Sequence, residues 1–387
     1  MTIDYKVAFT NWYENEFKAT DLYNAMANTT ENSRWHREES VAVHTDMVVS
    51  EYLKNTQYNW GKYDLMGAIV CAIHDIGKPG AKEVLERDDG TKYNRFSGHE
   101  QLSGMLWIDY ILSTDTSIQV YISDSDIYNI AVMAQYHLPY GIKNTRVQYL
   151  KSHLEKFGLV NVFIKCLVSD CNGRIADNPQ DTEDRMSSWV ESVFGVGSIK
   201  AALEATQVPT GTGKFEIGNN TNTDVVLMVG CAGIGKSTYI KNHLSGMQVH
   251  SLDTIRIEKY RQDGDPTDPI ELYELVFNRA NECKDFSRHA INDFNEKHRC
   301  GSVVIDNTNL TPKSRIKYRS WATKSASIGA IVFLSSFDVG YDRVKNRKDK
   351  HIPYKEVSRM YYKNYVLPIY GECDIIIPKL YFSYERS

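Results

Sequence analysis

The chain has 387 residues, of which 42% are hydrophobic, so it can bury two ordinary cores and two domains is the default expectation. Its N-terminus lacks the basic flank and apolar core of a signal peptide, and no apolar run reaches the length of a membrane span. These features predict a cytoplasmic protein with no membrane partner. The seven cysteines are scattered without a CxxC pair, which favours reduced thiols over a disulfide framework or a zinc site.

The formal net charge of −4 does not by itself indicate a nucleic-acid-binding protein, but the charge is unevenly distributed. Residues 313–363 contain 13 Lys and Arg against 4 Asp and Glu. A solvated helical face is the usual reason for such a run. Because affinity for a phosphate backbone depends on clustered cations rather than on net charge, a polyanion site in this segment is the second interpretation.

The first half of the chain has the apolar spacing of helices. Up to about residue 205 the hydrophobic residues recur with a helical period, as in DLMGAIVCAIHDIG at 64–77. This half is therefore predicted to be mostly α-helical. We expect the helix that contains DLMGAIVCAI to be ended by Gly77 and Pro79, with His74 and Asp75 in its last turn.

A segment rich in Gly, Thr and Asn follows at residues 208–223, which predicts a linker between a first domain at 1–207 and a second at 224–387. Its GTGK sequence is similar to a phosphate-binding loop. No apolar strand precedes that sequence, however, and Phe215 occupies the position where Ser or Thr is needed.

The second domain alternates short β-rich runs with helical patterns: VVLMVG, MQVHSLD, GSVVIDN, GAIVFLSS and CDIIIP. This alternation predicts an α/β fold with a parallel sheet.

The sequence GCAGIGKST at 230–238 satisfies the GxxxxGK[ST] pattern, directly after an apolar strand and directly before a helical stretch. Glycines at these positions let backbone N–H groups turn toward a triphosphate, a lysine balances its charge, and a hydroxyl holds Mg²⁺. The expected cofactors are ATP or another NTP, with Mg²⁺ bound at Ser237. The residues assigned to the NTP are Gly230, Gly233, Gly235, Lys236, Ser237 and Thr238, with Lys236 also acting in catalysis.

Polar residues that follow the later strands are candidates for the acceptor side of the reaction. Asp253 ends the second strand and is suited to accept the proton of an attacking hydroxyl, although a helix N-cap is the simpler interpretation. Asp306 reaches the same sheet edge, where it can contact Mg²⁺ or substrate or serve as a turn residue. Arg343 and Arg347 are four residues apart and are expected to face one way on a helix, as arginines that close over phosphates.

The sequences GCAGIGKST, LDTIR and IDNTNL, with the arginine pair ahead of HIPYKEVSRMYY, resemble the 5′-polynucleotide kinases, especially the phage-type enzymes. The resemblance covers nearly all of residues 224–380. It implies that Asp253 is the general base for a 5′-hydroxyl, that Arg256 contacts the acceptor strand, and that Arg343 and Arg347 belong to a helical lid.

The family pattern can be matched to either Asp306 or Asn307. We favour Asp306, because other members of the family read DNTN as this chain does.

A second set of residues lies in the first domain. An HD dipeptide and four further His and Asp residues, each in or beside a helical pattern, follow one another in the order H…HD…H…H…D. His36, His153 and Glu100 fall outside this order. The set resembles the two-metal HD-domain phosphohydrolases over roughly residues 30–190, and comprises His44, His74, Asp75, His99, His137 and Asp170.

The resemblance implies two divalent transition metals, among Mn, Fe, Co, Ni and Zn, which suit imidazole and carboxylate ligands. It implies that Lys78 and Arg174, each about one turn past a ligand, bind the substrate phosphate; surface charge is the simpler interpretation of both. The implied ligands are His44, His74, Asp75 and Asp170 for one metal, and bridging Asp75 with His99 and His137 for the other.

Taken together, the two halves resemble the bifunctional HD-domain phosphohydrolase and polynucleotide kinase family of RNA end-healing enzymes, over nearly the whole chain. This implies a helical HD-domain bundle joined to a P-loop kinase. The expected partners are RNA ends, with DNA ends left open, and a separate RNA ligase, because no ligase lysine motif is present. The kinase would phosphorylate a 5′-hydroxyl, while the HD domain removes a 2′,3′-cyclic or 2′(3′)-phosphate from the other end.

Two other interpretations remain open at this point. One is a small-molecule or nucleoside kinase fused to an HD nucleotide phosphohydrolase. The other is a regulatory protein in which NTP binding gates the HD domain. The native metals, the preferred NTP and the oligomeric state are left undetermined by the sequence.

Overall fold

The computed structural model describes residues 4–31, 33–56, 60–205 and 223–383. The chain divides into two compact units, Met1–Lys214 and Phe215–Glu385. The GTGK sequence and all of the predicted linker except its last residue lie outside the described residues. The linker therefore stays a prediction.

The first unit is helical. Short 3₁₀ and π segments join some of the helices. The α-helices are α1 Tyr5–Asn11, α2 Asp21–Ala27, α3 Val41–Asn55, α4 Lys62–Ile73, α5 Lys78–Ala81, α6 His99–Ser113, α7 Asp124–Gln135, α8 Asn144–Phe157, α9 Val160–Asn172, α10 Pro179–Phe194 and α11 Ser198–Glu204.

Helix α4 is the centre of this unit. Every residue of α4 from Asp64 to Ile73 is buried, and helices α3, α7 and α9 pack around it. A helix that is apolar on all sides is stable only when neighbouring helices surround it. This packing brings the carboxyl end of α4 and the turn that follows it into the interior of the unit.

The end of α4 differs from the sequence expectation. The helix ends at Ile73, His74 is its C-cap, and Asp75 lies in the following turn rather than in the last turn of the helix. Pro79 does not end this helix but lies in the first turn of α5, where its fixed φ suits a helix start. A side chain at Gly77 would meet the carbonyl oxygen of His99 at 2.3 Å, so the missing Cβ lets the turn lie against α6.

The helical unit also contains an antiparallel hairpin, β1 Glu83–Glu86 paired with β2 Lys92–Arg95, which the sequence analysis did not predict. No residue of either strand is buried. Without a buried face there is no apolar alternation to signal a strand.

The second unit confirms the predicted parallel sheet. Five parallel strands lie in the order β4-β5-β3-β6-β7: β3 Val225–Val229, β4 Gln248–His250, β5 Val303–Ile305, β6 Ile328–Ser335 and β7 Ile375–Tyr381. The connecting helices are α12 Lys236–His243, α13 Leu252–Tyr260, α14 Pro269–Glu282, α15 Phe286–Cys300, α16 Pro312–Trp321, α17 Phe337–Lys345 and α18 Tyr354–Ser358.

The strands β3, β5 and β6 are buried along their whole length, as expected for a parallel sheet covered on both faces. Because parallel strands share one carboxyl edge, the loops after β3, β4 and β5 meet there. Within residues 4–31, 33–56, 60–205 and 223–383, no helix is both long and apolar enough to cross a bilayer.

Candidate active sites

The phosphate-binding loop lies between β3 and α12. Gly233 has φ of 78° and a Cβ there would lie 2.7 Å from the Val344 side chain, while Gly235, at the N-cap of α12, has φ of 101°. Glycine is favoured at both positions, because L-residues rarely adopt these conformations. The loop thus presents backbone N–H groups at a helix N-terminus, the geometry that binds phosphate.

The side chain of Lys236 folds back over this loop. Its Nζ donates to the carbonyl oxygens of Gly230 at 2.8 Å and Cys231 at 2.6 Å. Burial disfavours the ammonium form and lowers the pKa of Lys236 to about 8. A triphosphate in the loop would supply the counter-charge that favours the protonated lysine.

Ser237 and Asp306 meet at the end of the loop, where the Ser237 hydroxyl donates to Asp306 Oδ2 at 2.7 Å. Asn307 points elsewhere, accepting from the N–H of Leu252 and donating to the Tyr318 hydroxyl. Hydroxyl and carboxylate oxygens are suitable Mg²⁺ ligands. Of Asp306 and Asn307, it is Asp306 that contacts the hydroxyl of the phosphate loop.

Asp253 lies in the first turn of α13, but Ser251 is the N-cap, accepting from the N–H of Thr254. The Asp253 carboxylate accepts instead from Arg256 at 2.8 Å, from the Tyr273 hydroxyl at 3.2 Å and from Lys350.

Burial opposes ionisation of Asp253, but the charges of Lys350 and Arg256 outweigh it, so its pKa lies below the usual carboxyl value. The carboxylate is therefore ionised at neutral pH, and its side chain is 37% exposed to solvent. Lys350 was missed by the sequence analysis. Its only signal is the run of cations around it.

Arg256 is held between two aromatic rings. Its guanidinium carbon lies 4.7 Å from the centroid of Phe277 and 4.8 Å from that of Phe286. This stacking fixes the plane of the guanidinium beside Asp253, while its buried Nε has no hydrogen-bond partner among the described residues.

The expectation that Arg343 and Arg347 share one helix face is wrong. Helix α17 ends at Lys345, with Asn346 as its C-cap. Arg343 donates to the carbonyl oxygen of Ile234 in the phosphate loop, at 3.3 Å. Arg347 lies beyond the helix end.

Arg347 is held away from helix α17 by an ion pair. Its guanidinium forms a bidentate pair with Asp349, outside the helix. The charge of Arg347 still interacts electrostatically with Lys236 and Asp253. Both arginines of the predicted pair therefore lie near the phosphate site, Arg343 on α17 and Arg347 beyond its end.

A cavity of about 440 Å³ opens beside the phosphate loop. Its walls include the loop glycines, Thr238 and Arg343, together with Tyr239 and Tyr381, which the sequence analysis did not select. Its volume is within the ~300–1,000 Å³ range of small-molecule sites, which suits the nucleoside part of an NTP.

In the helical unit, four buried histidines share one hydrogen-bond pattern. The Nδ1 atom of each lies within hydrogen-bond distance of a backbone carbonyl oxygen, which belongs to the residue three positions earlier for His74, His99 and His137 and to a distant residue for His44. When Nδ1–H donates to that oxygen, Nε2 keeps its lone pair, which is the arrangement of metal-ligating histidines. The pairs are His44 with Gly173 (3.0 Å), His74 with Cys71 (2.7 Å), His99 with Phe96 (2.7 Å) and His137 with Ala134 (2.8 Å).

The four Nε2 atoms converge on Asp75. Its Oδ2 lies 3.5 Å from His44 Nε2 and 3.2 Å from His74 Nε2, while its Oδ1 lies 3.1 Å from His99 Nε2 and 3.5 Å from His137 Nε2. One carboxylate thus faces two pairs of imidazoles with its two oxygens. This is the position of a bridging ligand.

Asp170 completes the first group, with Oδ1 lying 3.2 Å from His44 Nε2. The ligand atoms form two groups, each within 4.8 Å: His44, His74 and Asp170, and Asp75, His99 and His137. The buried Asp75 Oδ1 and His99 Nε2 atoms have no hydrogen-bond partner among the described residues. Imidazole nitrogens and carboxylate oxygens grouped in this way fit two divalent transition metals.

Lys78 and Arg174 both contact the carboxylates of this cluster. Lys78 Nζ lies 2.7 Å from Asp75 Oδ2 and also contacts Glu31, and Arg174 Nη2 lies 2.6 Å from Asp170 Oδ1. The simpler interpretation of both as surface charges is wrong, since both side chains are almost fully buried. They are placed to hold anionic groups at the cluster.

The sequence analysis missed three further residues next to the cluster: Glu31, His36 and Glu38. His36 Nδ1 lies 3.0 Å from Glu31 Oε2 and 3.5 Å from Glu38 Oε2, and Glu38 Oε1 lies 3.6 Å from His44 Nδ1. His36 falls outside the ordered pattern, and the acids precede and follow it without a recognisable spacing, so only the folded chain reveals the group.

An inner cavity of about 330 Å³ adjoins the cluster on this side. Among its lining residues are Trp35, His36, Tyr140, Arg174 and Arg185. The cavity is also lined by Glu100, but its two guanidinium groups and two aromatic rings are the side chains that suit a nucleotide.

Residues 225–363 match the family model of an AAA domain. No curated protein matches the chain. The matched region begins at β3, includes the phosphate loop and extends past Lys350. By this similarity and its own geometry, the second unit is a P-loop domain of the kinase-like class, with nucleotide and Mg²⁺ as its implied ligands.

Proposed function

We propose that the chain heals both ends of a broken RNA. The kinase-like unit transfers the γ-phosphate of an NTP to a 5′-hydroxyl end, and the helical unit removes a 2′,3′-cyclic or 2′(3′)-phosphate from the opposite end. The observation that carries the proposal is the Asp75 carboxylate, facing four Nε2 atoms in one unit of a chain whose other unit holds a P-loop. Sealing of the healed ends falls to a separate RNA ligase.

For the kinase step, Asp253 is the acceptor of the 5′-hydroxyl proton. Its lowered pKa keeps it ionised, and the Arg256 guanidinium beside it is positioned for the acceptor phosphate. Lys236 and the loop N–H groups stabilise negative charge on the transferred phosphate, and Arg343 and Arg347 add positive charge from the lid side.

For the phosphate-removing step, the two ligand groups around Asp75 would hold two divalent metals. When bound, such a pair supplies an acidified water and a clamp on phosphate oxygens. The chain itself supplies Lys78 and Arg174 as cations for the substrate phosphate. It also supplies backbone carbonyl oxygens that bind the Nδ1 atoms and so fix the orientation of the histidine rings.

The test is incubation of the full chain with an RNA that carries a 5′-hydroxyl and a 2′,3′-cyclic phosphate. End chemistry is resolved with and without γ-labelled NTP and with each of Mg²⁺, Mn²⁺, Fe²⁺, Co²⁺, Ni²⁺ and Zn²⁺. We expect NTP-dependent labelling at the 5′ end and metal-dependent, NTP-independent loss of the 3′-terminal phosphate.

The same experiment separates the alternatives. Labelling of nucleosides but not of RNA would replace the kinase assignment with a small-molecule kinase. Phosphate removal that appears only with NTP would favour a gated regulatory protein. A DNA oligonucleotide with a 5′-hydroxyl end determines whether the phosphate acceptor of the kinase must be RNA.

A further inference from the structure

The helical unit has an outer groove of about 450 Å³ between the β1–β2 hairpin and residues 33–37. None of the described residues that line it is acidic. Its five cations come from both walls and are all exposed: Arg34, Arg37, Arg87, Lys92 and Arg95.

Two of these cations lie opposite glutamates in the hairpin, Arg95 opposite Glu83 and Lys92 opposite Glu86, but the structure shows no ion pair between them. Arg37 forms a bidentate pair with Asp177, with both contacts at 2.7 Å. The other four cations form no ion pair with any residue that the structure describes; Arg95, for example, donates to the Ser97 hydroxyl. Clustered unpaired cations attract a polyanion, because its phosphates release condensed counterions on binding.

Aromatic rings lie beneath these cations. The guanidinium of Arg34 is 4.4 Å from the centroid of the Trp35 ring, and that of Arg87 is 4.9 Å from the Tyr93 ring. Both rings are half-buried in the groove wall. Cations interleaved with aromatic faces are typical of sites for single-stranded nucleic acid, where bases stack while phosphates pair.

The groove and the inner cavity beside the cluster share one wall residue. Trp35 lines both this groove and the inner cavity, and the ring of the next residue, His36, packs against His44 at 4.7 Å between centroids. Backbone bonds of Arg37 to Ile175 and of Asp177 to Arg34 fix this wall to the chain that follows Asp170.

We propose that the groove binds the RNA strand that leads to the phosphate removed at the cluster. The terminal nucleotide occupies the inner cavity, and the preceding nucleotides lie along Trp35 and Tyr93 with their phosphates on Arg34, Arg87, Lys92 and Arg95. This inference rests on the proposed function of the helical unit. It makes the helical unit a binding site for polynucleotide ends, through residues other than those of the basic segment 313–363.

The test compares two substrates of the full chain with Mn²⁺. One is an oligoribonucleotide of about ten nucleotides with a 5′-phosphate and a 2′,3′-cyclic phosphate, within the known range of site sizes. The other is a nucleoside 2′,3′-cyclic phosphate. For Arg87→Ala/Lys92→Ala and for Tyr93→Ala, we expect kcat/KM on the oligonucleotide to fall about tenfold or more, with the mononucleotide rate within about twofold of wild type.

Lys200→Ala is the matched control, because Lys200 is a 78% exposed lysine of the same unit outside the groove. The salt dependence of oligonucleotide hydrolysis should also weaken in the double variant, by about 0.7 in the log–log slope per lost phosphate contact. Equal losses on both substrates, or no loss on either, would overturn the groove assignment while leaving the proposed phosphohydrolase intact.

If the wild-type chain hydrolyses neither substrate, the proposed function fails, and the groove is then tested by binding alone. Fluorescence anisotropy of a labelled 3′-hydroxyl oligoribonucleotide should report at least about tenfold weaker affinity for Arg87→Ala/Lys92→Ala than for Lys200→Ala. Displacement of this RNA by polyglutamate as readily as by unlabelled RNA would instead indicate a site for acidic polypeptides and overturn the proposal.

Discussion

Ionisable groups are buried in both units, but with different partners. In the helical unit the buried carboxylate of Asp75 faces four imidazoles and the Lys78 ammonium. In the α/β unit the buried guanidinium of Arg315 donates to Glu372 and to the carbonyl oxygens of Asn309, Leu310 and Val366.

The difference separates a site from a structural contact. Four imidazole Nε2 atoms grouped around one carboxylate are the ligand types that suit a divalent transition metal. A buried arginine that donates to backbone carbonyls instead holds loops together, and removing it leaves unpaired groups behind. Substitution of Asp75 should therefore affect activity, whereas substitution of Arg315 should affect stability.

The largest effect is expected for Asp75→Asn, which keeps the side-chain volume but removes the bridging charge. Phosphate removal should fall below detection, and Mn²⁺ binding measured by calorimetry on the full chain should weaken, while 5′-kinase activity stays at the wild-type level. Retained Mn²⁺ binding would contradict the bridging role. A parallel loss of kinase activity would contradict the independence of the two sites.

The reciprocal change is Asp253→Ala. Because it removes the proton acceptor of the 5′-hydroxyl, kcat for the kinase should fall by about 10²–10⁴-fold. Phosphate removal should be unchanged, and Asp263→Ala, which alters an exposed carboxylate, is the matched control. Wild-type kinase turnover in Asp253→Ala would remove Asp253 from the mechanism.

Arg315→Met tests the structural side of the comparison. Breaking a buried ion pair leaves Glu372 charged and unpaired, so we expect about 3–5 kcal/mol less stability in urea unfolding. The double variant Arg315→Met/Glu372→Gln should regain part of this loss, because the uncompensated charge is gone. A loss below about 1 kcal/mol in the single variant would show that the pair is not structural.

The smallest effect is a shift in pH dependence for Lys350→Met. Lys350 is the main cation that lowers the pKa of Asp253 against the effect of burial, so its removal should raise that pKa. Protonated Asp253 cannot accept a proton. The acid limb of the kinase kcat/KM profile should therefore move to higher pH, by about one unit.

The stability of the folded chain should change in the same direction. A lowered carboxyl pKa stabilises the wild type above the unfolded pKa of about 4, and this contribution is lost as the pH falls. The free energy of unfolding of Lys350→Met should therefore fall less than that of the wild type as the pH is lowered. Lys348→Met is the control. An acid limb that coincides with wild type would show that Lys350 does not set the protonation of Asp253.

Much of the fold was predictable because its signals are local. The run VVLMV followed by GCAGIGKST defines a buried strand, a loop and a helix within neighbouring residues, and the structure has all three. The hairpin at 83–95 was not predictable, because its exposed strands carry no apolar alternation. The prediction that Arg343 and Arg347 share one helix was wrong. Helix α17 ends before Arg347, and no local sequence signal marks that end.

The sequence by itself determined which residue types are available: a P-loop, and four histidines with two aspartates in a fixed order. Only the tertiary structure decided which atoms meet. Asp75 is brought between His44 and His137 by helices that are distant along the chain, because the apolar α4 must be surrounded. Glu31, His36 and Lys350 join their sites for the same reason: long-range packing places them there, and no periodicity or motif records such contacts.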